Sequence, residues 1–253
     1  MNSDDSQNAS PPEPARVVRL KRIYQFPHLW FALPDRIRKL REHGTIHDWL
    51  EFAFGSPFPP IQVRAEISTF IEKVVPRQPQ TVLEVGTEGG GTLLLLTLAA
   101  APNATVISVD LPTGLYGGYP RWEGAYFQRF ALPSQRLHLV RANSHAFSTL
   151  QRVRAILGDR PLDVLFIDGD HSYGGVRADW EMYGPLVAPD GLVAFHDIVV
   201  HPPETGCEVH TLWQELKERF AHWEIVADGG KSMGGIGVIW PGRVRSEKSE
   251  TRT

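Results

Sequence analysis

The chain has 253 residues, of which 42% are hydrophobic, and a formal net charge of −3. This length supports one sizeable core, and no apolar run approaches the roughly 20 residues that a membrane-spanning helix needs. No block of Lys and Arg forms a phosphate-binding surface, so we expect neither a membrane nor a nucleic acid as partner. The single cysteine, Cys207, excludes an internal disulfide framework and favours a cytoplasmic location.

The first 60 residues differ in composition from the rest of the chain. Residues 1–16 are polar, acidic and Pro-rich, without the basic and apolar regions of a secretory signal, and predict a disordered tail. Residues 17–60 are rich in aromatic side chains, and Leu33–Leu50 is expected to hold one or two helices. We expect this segment either to cover a substrate pocket or to form a homo-oligomer interface. The sequence GSPFPP marks its end.

Residues 61–241 alternate between short apolar runs and helix-length segments, and residues 242–253 form a charged tail expected to be frayed. The predicted strands are Thr81–Val85, Thr105–Val109, Arg136–Val140, Asp163–Ile167, Leu192–Phe195, Trp223–Val226 and Gly235–Trp240. The predicted helices are Ile61–Val75, Thr92–Ala101, His145–Leu157, Tyr173–Tyr183 and Val209–Phe220. This order predicts a Rossmann-like α/β fold, a doubly wound and mostly parallel seven-stranded sheet with helices on both faces.

A glycine loop follows the first predicted strand, within the sequence TVLEVGTEGGGT. Glycines there allow a tight turn, and the helix that follows offers free N–H groups to an anionic group. The spacing is neither the GxGxxG of dinucleotide enzymes nor a P-loop. Glu84 lies inside the apolar strand and needs a cation or hydrogen-bond donors. Asp110 comes 24 residues after Gly86, where a carboxylate can accept hydrogen bonds from ribose hydroxyls. The plain alternative is an ordinary strand-to-helix turn.

Ionisable residues follow two later strands. The sequence DGDH occupies residues 168–171 and HD occupies residues 196–197, so both are expected at one edge of the sheet. Asp168 and Asp197 offer hard oxygens suited to Mg²⁺, whereas His196 better suits Zn²⁺, Mn²⁺ or Fe²⁺. His171 is either a general base, since neutral imidazole suits that task, or only the start of a helix capped by Ser172.

These motifs, with IDGDHSYGGVRADW and LVAFHDI, resemble the class I S-adenosylmethionine (SAM)-dependent methyltransferases over about residues 61–240. The most similar branch is the small bacterial O-methyltransferases, including cephalosporin-hydroxylase-like proteins and macrolide sugar O-methyltransferases. The resemblance implies that Glu84, Gly86 and Gly90 cradle the methionine portion, Thr92 holds its amino-acid end, Asp110 binds the ribose, and Asn143 and Ser144 lie beside the adenine.

The resemblance further implies a reacting centre. Asp168, His196 and Asp197 would hold a divalent metal, Mg²⁺ or another, and His171 would act as the base; Asp168 would also border the cofactor and take part in catalysis. The histidine at residue 196 departs from the acid pair of metal-dependent relatives. The predicted activity is therefore SAM-dependent O-methylation, assisted by a divalent metal, of a small hydroxylated acceptor such as a sugar or a secondary metabolite.

Two long connections, Leu111–Phe130 and Val199–His210, are expected to leave this edge as lids or substrate walls. Their ring side chains either stack on an acceptor or lie on an ordinary surface; these are Tyr116, Tyr119, Trp122 and His201.

Two other functions stay open. Aspartates and histidines at strand ends also suit a metal-dependent hydrolase or hydroxylase-like enzyme on this scaffold. A non-catalytic SAM-binding protein would tolerate substitution of Asp168 and His171. An NAD-dependent dehydrogenase is disfavoured by the glycine spacing.

Overall fold

The computed structural model describes residues 27–112, 117–231 and 233–244, which contain eight α-helices and seven strands. The helices are α1 Pro27–His43, α2 Ile46–Phe54, α3 Arg64–Val74, α4 Gly91–Ala99, α5 Arg121–Phe127, α6 Phe147–Leu157, α7 Tyr173–Tyr183 and α8 Val209–Arg219. The strands are β1 Thr81–Val85, β2 Thr105–Asp110, β3 Arg136–Arg141, β4 Leu162–Ile167, β5 Val187–His196, β6 Phe220–Ile225 and β7 Ile236–Val244.

The seven strands form one sheet in the order β3-β2-β1-β4-β5-β7-β6. The first five in that order run parallel, whereas β7 is antiparallel to both β5 and β6. Helices cover both faces, and the two faces have separate cores. Leu94 of α4 packs in the core that contains Val82, and Trp213 of α8 packs in the core that contains Leu83, as expected for side chains that alternate along a strand. The predicted Rossmann-like fold is confirmed.

The parallel strands end in register. Val85 pairs with Val109 and with Ile167, and Ile167 pairs with Phe195. The residues that follow these strands therefore lie together along one edge of the sheet. This is the edge where ligands bind in doubly wound folds.

Helices α1 and α2 are part of the main core. Ile37 and Ala53 are fully buried in the cluster that also contains the α4 leucines. The Arg41 guanidinium donates hydrogen bonds of 2.7–2.9 Å to three carbonyls at the end of α4, those of Thr97, Leu98 and Ala100. These carbonyls have no partner within the helix. The predicted role of this segment as pocket cap or oligomer interface stays a prediction.

Some predicted bounds were wrong, because strand pairing extends elements beyond their apolar cores. β5 begins five residues earlier than predicted, with Val187 paired to Leu162. Phe220 was predicted to end a helix but begins β6, paired with Val244. β7 ends at Val244 and therefore extends beyond residue 242, where the tail was predicted to begin. The connection 111–130 also contains the short helix α5.

The predicted tail at residues 1–16, residues 245–253 and Tyr116 lie outside the described residues. Within the described ranges, none of the helices has the length and apolar character needed to cross a membrane.

We predict that Gly86→Ala lowers the free energy of unfolding by about 3 kcal/mol or more. Gly86 has a φ of +84°, and a Cβ atom there would lie 1.9 Å from the carbonyl oxygen of Asp168. Gly229→Ala is the matched control, because Gly229 has a φ of +63° with nothing within 4 Å, and should cost only about 1 kcal/mol. Urea unfolding measures both variants, and equal losses would contradict the steric explanation.

Candidate active site at the carboxyl edge of the sheet

The Asp168 carboxylate lies at the centre of the site, directly after β4. Its Oδ1 is 3.1 Å from His196 Nδ1 and 3.3 Å from His171 Nε2, and its Oδ2 accepts a 2.6 Å hydrogen bond from Gln62 Nε2. Burial by itself would raise the pKa of Asp168. The charges and hydrogen bonds of His196 and His171 outweigh burial and hold that pKa well below its usual value. Asp168 is therefore a carboxylate that stays ionised.

His196 and Asp197 place a second carboxylate against the first. His196 Nδ1 lies 3.1 Å from Asp197 Oδ1 as well as 3.1 Å from Asp168 Oδ1. Burial opposes the imidazolium, but Asp168 and Asp197 raise the pKa of His196 to about 9. Asp197 has a left-handed backbone, with a φ of +61°, which is uncommon outside glycine. Backbone strain of this kind is concentrated at functional sites.

Asp168, His196 and Asp197 fit a divalent cation. Each offers one ligand atom, and these atoms lie within 4.8 Å of one another. Two carboxylates and one imidazole are common ligands of divalent metals. The protonated His196 supplies the positive charge between the carboxylates, so a bound cation would replace that proton.

His171 lies directly beside this cluster. Its Nε2 is 3.3 Å from Asp168 Oδ1, its Nδ1 is 3.5 Å from Asp197 Oδ2, and 43% of its side chain is exposed. The hydrogen bond with Asp168 raises the pKa of His171. The N-cap of α7 is Ser172, whose Oγ accepts a hydrogen bond from the Gly175 N–H. The helix start is thus capped without His171, whose ring faces the carboxylates.

The glycine loop lies at the neighbouring strand ends. Glu84 is fully buried, its Oε2 accepts a 2.6 Å hydrogen bond from Thr87 Oγ1, and its Oε1 has no hydrogen-bond partner. Burial raises the pKa of Glu84 well above its usual value. Gly90 is the N-cap of α4, with a φ of +79°, and a Cβ there would lie 2.6 Å from the Phe127 ring. Gly90 is therefore required for close packing against α5, whatever it contributes to a ligand.

Asp110 holds the glycine loop in place. Its Oδ2 accepts hydrogen bonds from the Thr87 and Glu88 N–H groups at 3.1 and 2.7 Å, and its Oδ1 accepts one from Leu111 at 2.7 Å. A carboxylate has about four lone-pair sites, so acceptor capacity remains for a ligand. Burial raises the pKa of Asp110, while these amides oppose the rise.

Gln62 is a site residue that the sequence did not suggest. It lies in the connection before α3, only 5% exposed. Its Oε1 accepts a hydrogen bond from Thr92 Oγ1, and its Nε2 donates to Asp168. Gln62 thus joins the predicted cofactor residue Thr92 to the predicted metal ligand Asp168. A single polar residue in a Pro-rich stretch carries no local signal of such a role.

Asn143 and Ser144 form the turn between β3 and α6. Asn143 Oδ1 accepts a hydrogen bond from the His145 N–H, and the Ser144 carbonyl accepts one from Tyr183 Oη. His145 Nε2 also lies 3.4 Å from Asp179, which is fully buried. Contacts with Tyr183 and Asp179, both in α7, therefore hold the turn in place.

The two connections contribute different side chains than expected. Tyr119 is fully buried and packs edge-on against Phe127, so it neither stacks on an acceptor nor lies on an ordinary surface, as the two alternatives predicted. Trp122 is partly buried against Phe58. His201 lies next to the cluster, with its Nε2 3.7 Å from Asp197 Oδ1.

A family model matches the central part of the chain. Residues 83–198 match the family model described as a methyltransferase domain. An uncharacterised protein of Sinorhizobium fredii is 29% identical over 147 residues, which are 55% of this chain but only 15% of that protein. The chain thus spans a small part of the curated relative that it matches.

Solved structures agree on the fold. The O-methyltransferase TomG from Streptomyces achromogenes, involved in tomaymycin synthesis and solved with SAM, is 16% identical with a TM-score of 0.53, covering 77% of this chain and 88% of TomG. The MycE methyltransferase of the mycinamycin biosynthetic pathway, solved with Mg, S-adenosylhomocysteine (SAH) and mycinamycin VI, is 16% identical with a TM-score of 0.51, covering 77% of this chain and 53% of MycE. These structures agree with the predicted fold, and the family match over residues 83–198 agrees with the predicted methyltransferase class.

We predict that the metal-free protein, kept in EDTA, loses stability as the pH rises from about 6.5 to about 9. The pKa of His196 is raised from 6.5 to about 9 on folding. A raised pKa stabilises the folded state fully below the unfolded value, and this contribution is lost as the pH rises through the folded value. The expected loss is on the order of 2–3 kcal/mol. Urea unfolding across this pH range measures it.

The His196→Gln variant should show a shallower profile over the same interval, because the raised pKa values of His171 and His145 still contribute. His47→Gln is the matched control, because 75% of the His47 side chain is exposed, and it should keep the wild-type slope. A wild-type profile no steeper than that of His196→Gln would show that the carboxylates do not stabilise a charged His196.

Proposed function

We propose that this protein is a SAM-dependent O-methyltransferase that uses a divalent cation and acts on a small hydroxylated acceptor, such as a sugar or a secondary metabolite. One observation carries the proposal: the glycine loop with Glu84 and Asp110 lies on the same sheet edge as the cluster of Asp168, His171, His196 and Asp197. That TomG was solved with SAM and MycE with Mg and SAH supports the same reading.

The part of the sheet edge that carries the glycine loop fits SAM. The Oε1 atom of Glu84 is a buried acceptor without a partner, and the ammonium group of the methionine portion is a donor that would satisfy it. A cation there would also favour the ionised form of Glu84. Asp110 retains acceptor capacity for the two ribose hydroxyls. Asn143 and Ser144 would border the adenine from the β3 end.

The cluster of acids and histidines on the same edge fits the activation of an alcohol as nucleophile. When bound by Asp168, His196 and Asp197, a divalent cation supplies Lewis-acid chemistry that lowers the pKa of an acceptor hydroxyl. The acceptor oxygen then bonds to the methyl carbon, the methyl–sulfur bond breaks to leave SAH, and the hydroxyl proton passes to His171. The two carboxylates within 3.5 Å of the His171 ring would stabilise the resulting imidazolium.

We predict that Asp110→Ala weakens SAM binding by about 10-fold or more, since it removes acceptors for both ribose hydroxyls and releases the loop amides. Titration calorimetry with SAM and SAH measures the effect, with Mg²⁺ and then with EDTA. Asp190→Ala is the matched control, because Asp190 is exposed and should leave affinity unchanged. Failure of the wild-type protein to bind either ligand under both conditions would exclude the proposed function and favour a metal-dependent hydrolase.

We predict that His171→Ala reduces methyl transfer by about 100-fold or more while SAM affinity changes less than about twofold. The ring that takes the proton is lost, whereas the glycine loop is untouched. SAH formation with a panel of sugars and catechols measures turnover. His47→Ala, a change at an exposed histidine, is the control. Normal turnover in His171→Ala would show that another group is the base.

A further inference from the structure

Cys207 lies against the same cluster, although nothing in the proposed methyl transfer uses it. Its Sγ, a His171 ring nitrogen and an Asp197 oxygen lie within 4.8 Å of one another. Cys207 is only 7% exposed and has a free thiol. The thiol therefore faces two groups that also ligate metals.

Backbone contacts fix this position. The Glu208 N–H donates a 2.8 Å hydrogen bond to the His171 carbonyl, and the Tyr173 N–H donates to Glu208 Oε2 at 3.1 Å. The Cys207 N–H donates to Thr205 Oγ1 at 3.2 Å. The segment that carries Cys207 is thus attached on one side to the segment that carries His171.

The donors of this second set differ in kind from those of the first. A thiolate, an imidazole and a carboxylate are the ligand types of Zn²⁺ and other thiophilic cations, whereas Mg²⁺ prefers oxygen. The two oxygens of Asp197 face different sets, since Oδ1 lies 3.1 Å from His196 and Oδ2 lies 3.5 Å from His171. The second set therefore differs from the first in the kind of donors, although the two sets share Asp197 and His171 Nε2 lies 3.3 Å from Asp168 Oδ1.

A separate observation points to a ligand here. The side chain of His201 is nine-tenths buried, its Nε2 has no hydrogen-bond partner, and that atom lies 3.7 Å from Asp197 Oδ1. A buried imidazole nitrogen without a partner is costly unless it binds something. His201 lies beside Asp197, which belongs to both sets, as a further buried donor for a bound ion, and the half-exposed His171 leaves a path for the ion's entry.

We propose that His171, Asp197 and Cys207 form a second metal site, selective for thiophilic divalent cations such as Zn²⁺, whose occupation inhibits the enzyme. The Cys207 sulfur binds as thiolate and releases its proton to solvent. A His171 nitrogen donates its lone pair to the ion, and a ligated His171 cannot accept the acceptor's proton. The inhibition rests on the proposed function, whereas the metal site does not.

The metal site is tested with Cd²⁺ and the full-length protein. Cys207 is the only cysteine, so a thiolate-to-Cd²⁺ charge-transfer absorption in the near ultraviolet is assigned without any variant. We expect one equivalent to saturate this band, Zn²⁺ to displace it and excess Mg²⁺ to leave it intact. No band at one equivalent, or its loss in Mg²⁺, would overturn the proposal.

Variants distinguish a metal site formed by several side chains from a single thiol that binds Cd²⁺ by itself. We expect His171→Ala to weaken Cd²⁺ binding by at least about 10-fold, and Asp168→Asn, which removes a ligand of the first set only, to retain the band. Unchanged binding in His171→Ala would mean that the thiol binds Cd²⁺ without the cluster, and the site would be rejected.

The inhibition is tested by methyl transfer in Mg²⁺ with added Zn²⁺. We expect Cys207→Ser and Cys207→Ala to keep the basal rate and to need at least about 10-fold more Zn²⁺ for half inhibition. Equal Zn²⁺ sensitivity in wild type and both variants would overturn the regulatory role. A Cd²⁺ band without detectable SAH formation would instead place the failure in the proposed function.

Discussion

The structure of the site depends on one largely buried negative charge, the Asp168 carboxylate. An ionised carboxylate of this kind is stable only with close donors or cations around it. Gln62, His171 and His196 meet this requirement from three different parts of the chain. The close approach of Gly86 to the Asp168 backbone fixes where the charge lies, so the sheet edge and the cluster are positioned by the same contact.

The charge of the Asp168 carboxylate also explains why histidines lie next to the acidic side chains. In the metal-free protein the imidazolium of His196 lies between Asp168 and Asp197, where it lowers the repulsion between the two carboxylates. A divalent cation would do the same with more charge, so binding and deprotonation of His196 are coupled. On the other half of the edge, Glu84 has no such partner for its Oε1. The two halves therefore favour different ligands, a metal ion on one side and an ammonium donor on the other.

The sequence predicted the parts of the structure that local pattern determines. Buried parallel strands are short apolar runs, and glycines follow β1 whereas acids follow β4. The positions of Asp110, Asp168 and Asp197 at the carboxyl edge of the sheet could therefore be predicted. The start of β6 at Phe220 was not, because it depends on pairing with Val244 across the sheet. Tyr119 was expected either to stack on an acceptor or to lie on the surface, and its burial was missed because it depends on the packing of a connection against α5.

Gln62 shows why the rest of the site could not be predicted. It is separated from Asp168 by 106 positions, and its importance comes only from the fold that brings them together. Its other partner, Thr92, lies in the first turn of α4, directly after the glycine loop. The side-chain amide of Gln62 therefore joins the two parts of the sheet edge. Pro60 of the segment that precedes α3 also packs directly on Gly91. The glycine loop and the donors around Asp168 are therefore held by the same short stretch of chain.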